Sequence, residues 1–462
     1  MTGEDEMDEK DKIIAEQATR IRILEELVAA LTAQLNKDSK NSNKPPSSDG
    51  LKKGKVKNSR VASGRPSGGQ AKHKGVTKEL NPSPETIIEI KPKTECECGG
   101  KILIQTDKFT VRQVTDIQLP KAITIEYRNM EGICEKCGKV HKGNFPEKVR
   151  GVVSYGDSIQ AIVTYLNVYQ MLPLKRATEL VEDLFGIKIS QGMIVASGQE
   201  AYDELEGTES QSKDELKNSE VVNFDETGVR VNGKTHWMHS AGTDSCTVYF
   251  IHKKRGKEAM DEMGILSSFS GTAIHDHWKS YYHYTQCAHG ECNAHHLRTL
   301  KYIHEDLGEV WAEDMACLLL RIKTHVDLSK LFGSDHLEQE DIDEYERLYQ
   351  DILANATMHP NPPKESRRMA KRLAEYEQET LLFMLDFGVP FTNNLAERDV
   401  RMPKAKQKIS GCFRSDDGAR AFARVRGFVS TAKKKGKGVI EGLVSVFNGT
   451  SLNFLYPDSV DN

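Results

Sequence analysis

The chain has 462 residues, nine cysteines and a formal net charge of −4. That length exceeds one ordinary core, so about two to four domains are expected. No stretch approaches the ~20 apolar residues of a membrane span. The acidic start Met1–Glu6 lacks the basic and apolar regions of a signal peptide, so the reading is a cytoplasmic chain without a disulfide framework.

The mean charge conceals segregation. Lys37 to Lys78 holds twelve Lys or Arg against two Asp, and Arg398 to Lys437 holds thirteen against three Asp. Two basic blocks are the electrostatic footprint of a polyanion, because phosphate neutralisation supplies most non-specific nucleic-acid affinity. One block alone would read equally well as a solvated face.

Residues 8–36 read as a coiled-coil helix. Ile14, Ile21, Val28 and Leu35 recur every seven positions, with Gln17, Leu24 and Leu31 between them. The pattern predicts self-association into at least a dimer, or else a helix packed on its own domain. Residues 37–80 form a linker whose Pro, Ser, Asn and Gly content prevents a packed core, and Arg65, Lys72 and Lys74 make it a basic arm suited to phosphates, or a plain tether.

Residues 81–150 carry the pairs Cys96/Cys98 and Cys134/Cys137, with Gly99 and Gly138 following. Four thiolates in two knuckles suit a structural, tetrahedral Zn²⁺ in a zinc-ribbon-like module. The contracted Cys96-x-Cys98 spacing leaves a metal-free hairpin open, and His141 is an alternative ligand. Residues 151–215 turn helical. Ile159, Ile162, Val163 and Leu166 share one face, Leu180, Val181, Leu184 and Phe185 another, and Ser190 is placed to cap a third helix. Tight turns between short helices fit a helix-turn-helix reader or a plain packing unit.

From Val221 the period becomes strand-like. Val221–Phe224, Thr235–Ser240 and Thr247–His252 predict three strands, a helix is expected near Glu258–Met263, and Thr272–His275 predicts a fourth strand. This order is that of a ribonuclease H-like core, which places Asp225 on the first strand and Asp276 just after the fourth. Glu397 follows a helix start at Asn393–Ala396. Two strand aspartates and one helical glutamate are the oxygen ligands that two Mg²⁺ (or Mn²⁺) ions need for in-line attack on a phosphodiester. Each acid has a bland alternative as a turn or surface residue, and Glu226 competes with Asp225 because alternation points the two to opposite faces. The set carries the reading.

Asn223-Phe224-Asp225-Glu226-Thr227-Gly228, His275-Asp276-His277-Trp278-Lys279-Ser280-Tyr281, Cys292-Asn293-Ala294-His295-His296-Leu297-Arg298 and Asn393-Asn394-Leu395-Ala396-Glu397-Arg398-Asp399-Val400-Arg401 resemble, in order, the segments of the insertion-sequence-66 family of DDE transposases. The zipper, the Asn-Ser-Asn-Lys-Pro-Pro-Ser-Ser-Asp linker and the cysteine knuckles follow the same order, and the contracted first knuckle departs from it. The resemblance implies a metal-dependent enzyme that cleaves and joins DNA strands. Its partners would be double-stranded transposon ends and target DNA, with helper proteins of the same element and no membrane.

The resulting expectation is a multidomain α+β and α/β chain. Residues 216–300 give the first part of the ribonuclease H-like core, 301–388 a helical insertion, and 389–445 the part with Glu397 and the basic tail. Arg398, Arg401, Lys404, Lys406 and Lys408 are expected on DNA, and Arg401, one helical turn from Glu397, is placed either to hold a phosphate or to pair with that glutamate. Cys292 and His295 read as structural neighbours of the site, since Mg²⁺ prefers oxygen. Trp278 and Tyr281 suit base stacking or core packing alike.

Overall fold

The computed structural model describes residues 79–457, apart from 105, 106, 108, 117–119 and 150, together with Gln17, Arg20 and Ile21. The zipper and the basic arm with Arg65, Lys72 and Lys74 lie outside the described residues. Residues 51–123 group as one unit and the rest of the chain as another.

In the smaller unit Glu95 and Lys101 form an isolated antiparallel bridge around Cys96 and Cys98. The Cys96 N–H donates to the Gly100 carbonyl at 2.8 Å. Gly99 turns the chain at φ +81°, a left-handed conformation that glycine adopts without strain. The larger unit repeats the device. Strands β1 (Glu131–Ile133) and β2 (Val140–Lys142) pair antiparallel, and the Cys134 N–H donates to Lys139 O at 2.9 Å across a turn made by Gly138.

Between β2 and the main sheet lie four helices: α1 (Asp157–Thr164), extended by a π-turn over Tyr165–Tyr169, α2 (Leu174–Phe185), α3 (Gln191–Glu204) and α4 (Glu206–Lys217). Pro173 opens α2 with its φ already fixed, and Gly186 ends it at φ +70°. Ser190 caps α3 as expected, its Oγ accepting the Met193 N–H at 3.1 Å. Val163, Leu166, Val181 and Ile194 close a small core between these helices. Leu184, expected on the same face as Val181, is 43% exposed.

The sheet has five strands: β3 (Val221–Val231), β4 (Lys234–Gly242), β5 (Thr247–His252), β6 (Thr272–His275) and β7 (Ala288–Glu291). Their order is β5-β4-β3-β6-β7, with β3–β4 and β4–β5 antiparallel and β3–β6 and β6–β7 parallel. Strand β3 runs seven residues beyond the expected Phe224 end. Asn232 and Gly233, both at positive φ, make the hairpin turn that lets it continue as β4. Asp225 therefore sits inside a strand and not at its end. Helix α5 (Lys257–Met263) links β5 towards β6. The short strand β7 was not anticipated, because Ala-His-Gly-Glu shows no apolar alternation. Gly290 permits it, since a Cβ there would lie 2.6 Å from Ile274 Cδ1.

Five helices follow: α6 (Asn293–Leu307), α7 (Val310–Leu331), α8 (Gln339–Met358), α9 (Lys364–Glu375) and α10 (Glu377–Leu385). They share a core built on Leu300, Met315, Leu319, Ile322, Tyr349 and Leu373 that also receives Ile274 of β6. The chain then returns through α11 (Asn394–Ser410) and α12 (Asp416–Lys434), and ends the described part with α13 (Val439–Phe447) and α14 (Ser451–Leu455). Helix α12 lies close against β5 because Gly427 has no side chain. A Cβ there would stand 3.2 Å from the Thr247 carbonyl. Among the described residues no helix is long and apolar enough to cross a membrane.

Candidate active site

Three elements bring carboxylates together. Strand β3 supplies Asp225, the turn after β6 supplies Asp276, and the first turn of α11 supplies Glu397. Strands β3 and β6 are parallel neighbours through Asn223↔Ile274, so the two aspartates leave the sheet at the same end. Asn393, the residue before α11, fastens the third element. Its side chain donates to the Phe224 carbonyl at 2.7 Å and accepts from Asn223 at 2.8 Å, while its backbone N–H reaches Cys292 Sγ at 3.1 Å. The helix carrying Glu397 is thus pinned to the residue preceding Asp225.

Burial pushes the Asp225 carboxyl well above the usual carboxylate range, and the charges of Glu226, Asp276 and Glu397 push it further. Asp276 is raised to about 7, chiefly by burial and then by Glu226, against the opposing pull of Arg255. Its Oδ1 accepts the Trp278 N–H at 2.9 Å.

Glu226 does not compete for the same role. Its side chain is fully buried, accepts from Arg255 Nε at 2.6 Å, and takes the Tyr281 hydroxyl at 2.6 Å. Arg255 also stands 3.6 Å from Asp276 and lies between Trp278 and Trp237, with its guanidinium 3.8 Å and 5.0 Å from their ring centroids. Trp278 therefore packs on a cation, and Tyr281 binds a carboxylate while stacking on His275 at 4.4 Å. Glu397 pairs with Arg298 at 3.1 Å, a partner different from the Arg401 considered from helical spacing.

Four carboxylates thus meet two arginines, each engaged on one side. A cluster with surplus buried negative charge fits hard divalent cations, and Asp225, Asp276 and Glu397 are the members with oxygen to offer. Cys292 and His295 sit beside it, with donor atoms grouped within 4.8 Å of one another and of a Glu397 oxygen. Burial raises the Cys292 thiol to about 11 and lowers His295 to about 3, so both are neutral near pH 7.

The basic residues of α11 divide. Arg398, Arg401 and Lys408 are exposed and Lys404 is half-buried. Lys406 departs from the expected DNA contact: it is 9% exposed, and its ammonium donates inward to the Asn167 carbonyl at 3.2 Å. Arg255, Arg298 and Asn393 were not singled out as site residues. The Asn-Asn pair opening α11 was the one available signal among them.

A mixed sheet whose central strand, parallel neighbour and returning helix deliver carboxylates to one acidic centre has the frame of a transposase core. Residues 152–421 match the model of the family described as Transposase IS66 family, and the chain belongs to that family. It is a transposase, and DNA is the partner that membership carries. Residues 4–79 match a second model, of a family of unknown function. No curated protein matches the chain.

Proposed function

We infer that this transposase binds the ends of its mobile element, hydrolyses a phosphodiester to free a 3′-hydroxyl, and joins that hydroxyl to target DNA. The observation that carries the reading is the under-neutralised carboxylate cluster of Asp225, Asp276 and Glu397. The strand order β5-β4-β3-β6-β7 supports a ribonuclease H-like core with a helical insertion before α11. The three carboxylates would hold two Mg²⁺ or Mn²⁺ ions, which supply Lewis-acid stabilisation to the attacking and leaving oxygens.

The chain's own contribution is positioning. Asn393 sets the distance between β3 and α11, Arg298 orients Glu397, and the Trp278–Arg255 pair holds the Asp276 turn. Arg398, Arg401, Lys404 and Lys408 follow Glu397 and would lie along DNA phosphates. Lys406, facing inward, leaves that set. The zipper would pair two chains, and the basic arm with Arg65, Lys72 and Lys74 would hold DNA outside the core. Helper proteins of the same element would complete the assembly.

The zinc reading of the knuckles rests on local geometry. In each, the backbone N–H of the second cysteine, and after it that cysteine's thiol, lowers the pKa of the first, Cys96 or Cys134. Cys96, Cys98, Cys134 and Cys137 would take about one Zn²⁺ per chain, measurable by metal analysis of the purified protein.

Strand transfer tests the main reading. Protein, Mg²⁺, an end fragment with a free 3′-hydroxyl and a plasmid should give joined product, while Asp225→Asn and Glu397→Gln give none. Nicks without joining would reduce the activity to that of a nuclease. Wild-type joining by either variant would remove the carboxylates from the chemistry.

A further inference from the structure

Next to the acidic centre lies a second group of donors with a different composition. His277 follows Asp276, Glu291 ends β7, and His296 lies in the first turn of α6. His296 Nε2 stands 2.8 Å from Glu291 Oε2, and His277 Nε2 stands 4.0 Å from the same oxygen. The two imidazoles stack with centroids 4.0 Å apart and planes at 28°. One donor atom from each of the three side chains lies within 4.8 Å of the others.

These atoms are deeply buried, with side-chain exposures of 9% for His277 and 0% for Glu291 and His296. The 2.8 Å approach nevertheless lacks hydrogen-bond alignment. His277 Nε2, Glu291 Oε2 and both His296 nitrogens have no hydrogen-bond partner. Buried polar atoms are rarely left this way, because each gives up its bonds to water without replacement.

The other Glu291 oxygen is occupied. Oε1 accepts the Tyr282 hydroxyl at 2.6 Å and also the Arg372 guanidinium. Those contacts fix the carboxylate and leave Oε2 facing the imidazoles, the arrangement that orients a metal-binding carboxylate. Around a tetrahedral ion with bonds of about 2.0–2.1 Å, donor atoms stand roughly 3.3 Å apart. The separations of 2.8 and 4.0 Å bracket that value. Two imidazoles and one carboxylate are borderline donors that suit zinc and not Mg²⁺.

We propose that His277, Glu291 and His296 bind a Zn²⁺ ion, distinct from the carboxylate cluster and from the cysteine knuckles, with solvent in the remaining position. The ion would join the turn after Asp276, the end of β7 and the start of α6. Arg298, which holds Glu397, lies two residues beyond His296. The site is therefore a brace under the acidic centre.

The test separates it from the cysteines by ligand chemistry. Full-length Cys134→Ser/Cys137→Ser protein, loaded with Zn²⁺ and desalted, should retain about one zinc per chain with an absorption-edge fine structure of nitrogen and oxygen only. Adding His277→Ala and His296→Ala should remove it. On the wild-type chain, Co²⁺ should give d–d bands from this site besides the near-ultraviolet thiolate bands, a readout that needs no variant to fold. Loss of all tight zinc with the two cysteines, retention without the two histidines, or wild-type cobalt bands of thiolate origin alone would overturn the proposal.

Discussion

Asp276 and Glu291 stand at the ends of adjacent parallel strands, and the fold treats their carboxylates in opposite ways. Asp276 shares its surroundings with Glu226 and Asp225, has one arginine at 3.6 Å, and is raised to about 7. Burial pushes Glu291 upward too, but His296, His277 and Arg372 outweigh it and hold the carboxyl well below its usual range. Desolvation pushes both carboxyls upward, so it does not explain the difference. What differs is how closely a cation of the chain engages the carboxylate. Glu291 Oε1 accepts the Arg372 guanidinium directly, together with the Tyr282 hydroxyl. Around Asp225 and Asp276 the pairing stops short, and there the proposed metal ions would supply the remaining charge.

The sharpest way to break this comparison is catalytic. Asp276→Asn should lower DNA cleavage and joining on the order of 10³-fold, with unchanged circular dichroism, because it would remove one of the proposed metal-binding oxygens. Near-normal turnover would place Asp276 with the structural acids. Glu291→Gln should act on the fold first, and on activity only through the proposed brace. It leaves Arg372 poorly paired, so the metal-free fold should lose about 3–5 kcal/mol in a denaturant titration at pH 7. The sign follows from a depressed carboxyl. Its contribution is complete above the unfolded value of about 4.3 and is lost as pH falls through the folded value. The gap between wild type and variant should therefore close in acid.

Asn393→Ala comes next. It abandons the Phe224 carbonyl and the Asn223 amide in a buried setting, at about 2–3 kcal/mol. Activity should fall more than stability, since Glu397 loses its register with Asp225. Asp276→Asn should also stabilise the metal-free protein at pH 8, by about 1–2 kcal/mol. The folded value near 7 exceeds the unfolded one, so the folded state binds more protons between about pH 4 and 7 and wild type weakens as pH rises through that window. The gain should vanish near pH 4. Saturating Mn²⁺ should reverse its sign by stabilising only the wild type.

The smallest effect belongs to Lys406. Burial lowers its ammonium to about 8, so the folded state binds fewer protons from about pH 8 to 10.4 and stability rises with pH there. Lys406→Met should abolish that rise and change stability by under about 1 kcal/mol at pH 9. DNA affinity should be unaffected, whereas Arg401→Ala should weaken binding and flatten its salt dependence.

Alternating residues and glycine punctuation made most of the central sheet legible. β5 and β6 lie where their apolar runs predict, and Ser190 caps its helix. β3 and β4 outran their expected ends because the Asn232-Gly233 turn matters more than the polarity of Asp225 to Gly228. β7 was invisible because its four residues carry no period, and its place depends on Gly290 fitting beneath Ile274. At the acidic centre, residue types announced the carboxylates but not their partners. Arg255 comes from a Lys-Lys-Arg loop that reads as solvent-facing, and only two indoles distant in sequence turn it inward. Lys406 shows the opposite failure: counting charge along α11 says nothing about which side of a helix is covered.

The Asn393–Phe224 bond joins residues 169 positions apart, with the five helices α6 to α10 threaded between them. On the ribosome, both aspartates emerge well before the asparagine that fastens α11, a delay of roughly 6 to 23 seconds at ~5–20 residues per second. A nascent chain interrupted anywhere in those helices carries two acids and neither the clasp nor Glu397. If the three acids act together as proposed, unfinished copies are unarmed by the order of synthesis, and cutting power would arrive only when translation has passed α10.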